Sequence, residues 1–233
     1  MEYYLDPHVH THEVSPCGWV PAAQMVQLYK NAGYSAVCVT DHYYNGYFKK
    51  LGDLSWKEKT ERYCRGYYVA KEAGEKLGLK VLFGQEMRFF DHSNDFLVYG
   101  ISPEDLLENP ELYQMTLAEY REFAHARGAV IFQAHPFRAP CAPSNPAYID
   151  GIEIYNGHPD HNSRNNLATD FQCRYAQKYT ISGSDFHRVH HLARGGVVLP
   201  RIPEDEKDFI AMIQNHEIIR LVRTRGGADP SNR

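Results

Sequence analysis

Near the start of the chain, in "LDPHVHTHEVSPCG", His8, His10 and His12 occupy three of five positions. Alternate residues on an extended strand point the same way, so His8 and His10 address one point in space while Val9 turns to the core. Neutral imidazole ligates metals, and further candidate ligands stand at Asp41 and His42, at Glu86, at His135, and at Asp185 and His187, where Phe186 separates two polar neighbours. A mixed nitrogen and oxygen set suits zinc, manganese or iron(II), and several carboxylates together hold more than one ion. Two ions about 3.5–4 Å apart clamp the attacking and leaving oxygens of a phosphoryl displacement, with Glu86 the natural bridge between them. Phosphate also calls for positive charge. Arg138, three residues after His135, and Arg194 in "HLARGGV" offer the guanidinium fork that fits phosphate oxygens, and His158 in "NGHPDH" is a further candidate for substrate contact.

Strand ends must position these groups. Apolar runs at 3–9, 35–40, 80–86, 95–100, 129–134, 150–156 and 179–185, with 195–199 and 217–222 after them, read as strands. The segments 21–33, 56–78, 116–128 and 161–179 read as helices, the first with Pro21 in its opening turn and Gly33 past its end. Strand and helix in alternation predict a mostly parallel sheet, open or closed into a barrel. In a parallel barrel the carboxyl ends of the strands converge on one face, and the chemistry sits there. The first run leads into His8 and His10, the second into Asp41 and His42, the third into Glu86, the fifth into His135 and the seventh into Asp185 and His187.

Composition narrows the class. The chain has 233 residues, 43% of them hydrophobic, enough for one sizeable α/β core, and no repeat or linker divides it. One domain is expected over 1–222, followed by a polar, Gly- and Pro-containing tail at 223–233. A formal charge of −4 argues against nucleic acid or an anionic membrane as the main partner. The N-terminus lacks the pattern of a signal peptide and no apolar run reaches membrane-spanning length, so a cytoplasmic protein is expected. Five scattered cysteines without a CxxC pair fit reduced thiols. His92, His125, His161, His190, His191 and His216 have no ligand partner at useful spacing and read as ordinary histidines. The loops "NGYFKKLGDLS" and "RAPCAPSNPAY" are long enough to shape a pocket.

Five motifs in order, "HVHT", "VTDH", "GQE", "AHPFR" and "GSDFH", across residues 8–187, resemble those of the PHP (polymerase and histidinol phosphatase) superfamily of metal-dependent phosphoesterases. The resemblance implies an α/β fold, a distorted, TIM-like (β/α)7 barrel with a di- or trinuclear metal site at the carboxyl ends of the strands. It also implies that one ion takes His8, His10, Glu86 and Asp185, a second Glu86 and His135, and a third His42 and His187. Two departures stand out. Where many members have a histidine in the fourth strand, this chain has Asp95, a harder ligand. Where the common form continues with an aspartate after its first motif, this chain reads "EVSPCG", leaving Glu13, Cys17 or His12 to complete the third ion, with Glu13 the first choice. Asp41 is read as the carboxylate that orients a neighbouring imidazole, and Glu153 either lines the pocket or is a buried structural carboxylate.

The implied reaction is hydrolysis of a phosphomonoester of a small metabolite or nucleotide, histidinol phosphate among them, by a metal-bound hydroxide. Two or three divalent ions (Zn, Mn or Fe) would act with Arg138 on the phosphate oxygens, and His187 or His42 would protonate the leaving group only if the third ion were absent. Three alternatives are a phosphotyrosine-protein phosphatase, an amidohydrolase-type C–N hydrolase and a non-catalytic metal-binding module. The amidohydrolase group commonly carries a bridging lysine at a strand end, where this chain has Glu86, His135 and Asp185.

Overall fold

In the computed structural model, which describes residues 1–175 and 179–224, the expected strands form a single sheet that curls into a nearly closed barrel. In chain order they are β1 (Tyr3–Val9), β2 (Ala36–Val39), β3 (His42–Tyr43), β4 (Lys80–Met87), β5 (Phe96–Tyr99), β6 (Val130–Gln133), β7 (Gly151–Asn156), β8 (Tyr179–Gly183), β9 (Gly195–Leu199) and β10 (Arg220–Arg223). Their order in the sheet is β10-β9-β1-β2-β4-β5-β6-β7-β8, with β3 added to β4. A parallel bridge between Val9 and Phe186 draws the two sides of the barrel together at the histidine-bearing end, where the His10 N–H donates to the Phe186 carbonyl.

Helices α1 (Ala22–Asn31), α2 (Asn45–Lys50), α3 (Trp56–Tyr63), α4 (Arg65–Leu77), α5 (Pro103–Glu108), α6 (Leu117–His125), α7 (Asn165–Tyr175) and α8 (Glu206–Gln214) fill the connections. The single helix expected over 56–78 is divided into α3 and α4. At the start of α4, Gly66 lies so close to Thr11 and Asp41 that a Cβ there would meet the Thr11 hydroxyl at 2.1 Å. Part of the loop expected at 45–55 is helical, as α2.

Two strands break the expected parallel pattern. β5 is antiparallel to β4, because the short connection after Met87 cannot make the crossover that a parallel neighbour needs, and it is antiparallel to β6 as well. The start of β5, with Asp95 just before it, therefore lies at the histidine end of the barrel. β9 is antiparallel to β1. Of the tail expected at 223–233, only the first two residues are described. Arg223 belongs to β10 and the Thr224 hydroxyl donates to the Arg194 carbonyl, while 225–233 lie outside the described residues.

Strand alternation sorts the apolar side chains into two layers. Val37, Val39, Val81, Phe83 and Ile131 pack outward with Met25, Val26 and Tyr29 of α1 and Ala70 of α4. Leu5, Ala36, Cys38, Leu82, Leu97, Phe132 and Ile181 pack inward with Phe209, Ile210 and Met212 of α8, which plugs the end of the barrel opposite the histidines. β1 contributes to both layers, because its register against β2 shifts between Asp6 and Val9. Before this bulge Asp6 faces α1, and after it His8 and His10 face the interior. A bulge re-aims side chains in this way.

Asp6 itself ties the barrel seam. Its buried carboxylate accepts from the Tyr29 hydroxyl at 2.7 Å, the Ser184 N–H at 3.0 Å and the His8 N–H at 3.2 Å. Asp6→Ala would strand these donors, so urea unfolding is expected to show a loss of about 1–3 kcal/mol. An unchanged midpoint would mean that the seam does not depend on this carboxylate.

Candidate metal centre

β1 delivers two imidazoles and the end of β4 delivers a carboxylate between them. His8 Nε2 and His10 Nε2 stand 3.1 Å apart, at 3.4 and 3.3 Å from the two Glu86 oxygens and at 3.5 and 3.4 Å from Asp185 Oδ1. On the other sides of Glu86, His42 Nδ1 lies 2.8 Å from Oε2 and His135 Nε2 lies 3.0 Å from Oε1. One buried carboxylate is thus ringed by four imidazoles.

Burial opposes ionisation of Glu86 and Asp185, but the surrounding positive groups outweigh it. His42 and His8 hold Glu86 well below the usual carboxylate range, and His8 and Arg138 do the same for Asp185. Burial likewise opposes a charged ring at His8, and the carboxylates of Glu153, Asp185 and Glu86 overcome it and raise its pKa. His10 goes the other way. Burial, reinforced by His187 and His42, keeps its ring neutral, with a lone pair ready for a ligand.

A layer of polar groups aims the rings. Glu153 Oε1 accepts from His8 Nδ1 at 2.9 Å, which leaves Nε2 facing Glu86 and Asp185. Its other oxygen takes the His135 N–H at 3.0 Å and the Asn156 amide at 2.8 Å. Glu153 and Asn156 differ in strand parity, yet both face the interior because β7 shifts register between Glu153 and Tyr155. Asp41 lies outside the ring of donors. Its carboxylate accepts from the Thr11 N–H and hydroxyl and, at 2.6 Å, from Ser15 Oγ, which sits 3.1 Å from His10 Nδ1. Asp41 therefore acts on His10 through Ser15. Burial raises its pKa to about 6 against these hydrogen bonds.

His135 and Asp185 both have positive φ, 29° and 53°, which non-glycine residues rarely adopt. Backbone strain of this kind clusters where side chains must be aimed for a purpose.

The donor set fits divalent metal. Ligand atoms about 2.1 Å from one ion stand roughly 3.0–3.4 Å apart for angles between right and tetrahedral, close to the separations found here. Glu86 Oε2 is moreover buried without a hydrogen bond, although His42 Nδ1 is near it. An ion between these atoms would satisfy both.

Other candidates are placed as follows. Asp95 is clamped by Arg88 through two hydrogen bonds of 2.7 Å, with Oδ2 4.0 Å from His135 Nε2. Arg138 donates to Asp185 Oδ2 at 2.8 Å and lines the cavity. His187 faces the cavity beside His10, their rings stacked at 4.3 Å. His158 also lines the cavity, its Nδ1 accepting the Asp160 N–H at 3.2 Å.

Two expectations are corrected. Arg194 does not reach the cavity, because its Nε donates to the Gly157 carbonyl at 2.8 Å. Glu13, the first choice for a third ion, turns away to the start of α1, where both oxygens accept the Ala22 N–H at 3.0 and 3.1 Å. An unpaired amide in a helix's first turn attracts a carboxylate. His12 is also engaged, its Nδ1 3.0 Å from the Gly18 carbonyl.

The cavity measures about 650 Å³ and has walls the sequence did not reveal, including Trp19, Arg88, Cys141, His161, Arg188 and His191. Arg88 was findable, two residues after Glu86 and hence on the same side of β4. His191, expected to be an ordinary histidine, is buried and 3.0 Å from Asp160.

A family model described as "PHP domain" matches residues 6–194. No curated protein sequence matches the chain. Among solved structures, a two-domain protein from Bacteroides vulgatus containing a predicted PHP-like metal-dependent phosphoesterase superposes with a TM-score of 0.64 at 19% identity, over 93% of this chain and 64% of its own. PsfC from Pseudomonas syringae gives 0.64 at 20% identity over 91% and 89% of the two chains. The lesion-specific endonuclease EndoQ from Pyrococcus furiosus gives 0.63 at 16% identity over 95% of this chain and 58% of its own.

If Glu13 serves α1, Glu13→Ala is expected to lower stability by about 0.5–2 kcal/mol, the worth of a helix cap, and to leave bound metal unchanged. Elemental analysis beside thermal unfolding checks both halves, and a loss of metal without a loss of stability would return Glu13 to the centre.

Proposed function

The chain belongs to the PHP domain family, and from that premise we propose that it is a metal-dependent hydrolase of phosphomonoesters, acting on small phosphorylated substrates. The observation that carries this reading is the buried Glu86 carboxylate ringed by His8, His10, His42 and His135 at the floor of an arginine-walled cavity. His8, His10, Glu86 and Asp185 would hold one ion, Glu86 and His135 a second, and His42 and His187 belong to a third position. Two or three divalent ions, zinc, manganese or iron, would supply Lewis acidity and lower the pKa of a bound water.

The protein's own residues bind and orient. Arg138, held by Asp185 through Nη1, by Asn156 and Ser163 through Nη2 and by Ser163 through Nε, sets a positive charge in the cavity wall beside the donor cluster, and Arg88, paired with Asp95, lines the same cavity. With Nδ1 accepting the Asp160 N–H, His158 carries its proton on Nε2 and offers a neutral hydrogen bond to substrate. Glu153 and Asp41 hold the His8 and His10 rings against rotation, so no reorganisation is needed as charge develops at phosphorus. In the net reaction water oxygen bonds to phosphorus, the ester P–O bond breaks, and the alcohol departs with a proton. No lysine lines the cavity among the described residues, which weighs against a lysine-bridged C–N hydrolase. The cavity volume suits a small metabolite or nucleotide. All five cysteines are free, as a reducing cytoplasm would keep them, and no helix among the described residues is long and apolar enough to cross a membrane.

A panel of phosphorylated metabolites, assayed in several divalent metals, is expected to yield phosphate release by wild type. Glu86→Gln and Asp185→Asn should lose most metal and at least about a hundredfold in turnover while remaining folded, since each removes an aimed charge from the site. Less than one ion per chain after reconstitution, or wild-type turnover in either variant, would refute the reading. Arg138→Lys should raise KM about tenfold, roughly 1.4 kcal/mol, because an ammonium cannot keep the guanidinium's place between Asp185, Asn156 and Ser163 in the cavity wall.

A further inference from the structure

We propose that Cys17 completes a third metal position with His42 and His187, making it a thiolate site that prefers zinc-like ions to manganese. The inference rests on the metal-centre reading above and concerns which residue of the segment 11–18 serves it. Two of the three candidate side chains are committed elsewhere, His12 to the Gly18 carbonyl and Glu13 to the first amide of α1. Cys17 is not. It lines the cavity with His42 and His187.

The loop is built to hold it there. The Gly18 N–H donates to the Ser15 carbonyl at 2.9 Å and the Trp19 N–H to the His187 carbonyl at 2.8 Å, so the two residues after Cys17 are anchored, the second of them to the backbone of His187. A Cβ on Gly18 would stand 2.5 Å from the Thr11 carbonyl oxygen, so only glycine permits the fold-back.

An independent observation points to a ligand at this place. His42 Nδ1 lies 2.8 Å from Glu86 Oε2, a buried oxygen that no hydrogen bond satisfies. One nitrogen each from His10, His42 and His187 lies within 4.8 Å of the others. His187 Nδ1 donates to the Asp185 carbonyl at 2.9 Å, which leaves Nε2 with its lone pair free. Imidazole nitrogens with a sulfur form a softer set than the oxygen-rich sites that suit manganese. On binding, the thiol proton passes to solvent and the sulfur lone pair to the ion.

Cobalt(II) titrated into metal-free protein tests the assignment without reference to turnover. Wild type is expected to show a near-ultraviolet thiolate-to-cobalt charge-transfer band. Cys17→Ser should lose that band and about one equivalent of cobalt, whereas Cys141→Ser, altered beside His135, and Cys173→Ser should keep both. Cys17→Asp should retain the ion, lose the band and so show that the site, not the fold, was changed. Cobalt bound by wild type without the band, or a band that survives in Cys17→Ser or vanishes in Cys141→Ser, would overturn the proposal while leaving the metal centre standing. Failure of wild type to bind cobalt at all would remove the metal-centre reading together with this one.

Discussion

The ionised carboxylate of Glu86, held almost free of water inside a ring of histidines, is the interaction on which the rest of the site depends. A lone buried charge of this kind would be intolerable, and it persists because His42, His8 and His135 approach it from three strand ends. Each approach needs a different part of the barrel. β1 brings His8 and His10, β3 lies beside β4 and sets His42 opposite Glu86 in register, and the turn after β6 brings His135. If the sheet were to open at the seam between β1 and the segment after β8, Asp185 would leave the cluster and with it the second carboxylate that balances these rings.

A second layer makes the arrangement stiff. Glu153 holds His8 and the backbone of His135 at once, and Asn156 links Glu153 to Asp185. Gly183 permits this closeness, since a Cβ there would come within 2.4 Å of His8 Cβ and 2.7 Å of Glu153 Oε1. Asp41 reaches His10 only through Ser15, so the segment that differs from the common family pattern still supplies a partner for the centre. Such outer contacts set the tautomer and the ring angle of a ligand, and both matter as much as its presence.

Several of these features were legible before any fold was known. The apolar runs bound the strands closely, with β1 at 3–9 and β9 at 195–199 matching the expected ranges, because half-buried strands announce themselves by composition and period. The clustering of His8, His10, Glu86, His135 and Asp185 followed from the rule that strand ends in such barrels share a face. Long-range choices between similar side chains were not legible. Glu13 and Cys17 are four residues apart and both have metal-binding chemistry, yet the start of α1 takes one and the cavity holds the other. Arg194, expected at the pocket, is taken by the Gly157 carbonyl, while Arg188, which no motif singled out, lines the cavity, because backbone carbonyls and cavity walls compete for guanidinium groups.

By itself, then, the sequence determined the inventory and its order: which residue types stand at the ends of which strands, and that their side chains have the chemistry of metal ligands. Tertiary structure alone decided direction. Simple alternation would place Asp6, His8 and His10 on one face, and the bulge within β1 separates them, sending Asp6 to α1 and the histidines to the interior. A second bulge does the same for Glu153 and Asn156 in β7, and the short return after β4 reverses β5 so that Asp95 meets His135. Bulges and strand polarity arise from hydrogen bonding between neighbours distant in the chain, and no local pattern of residues carries that information.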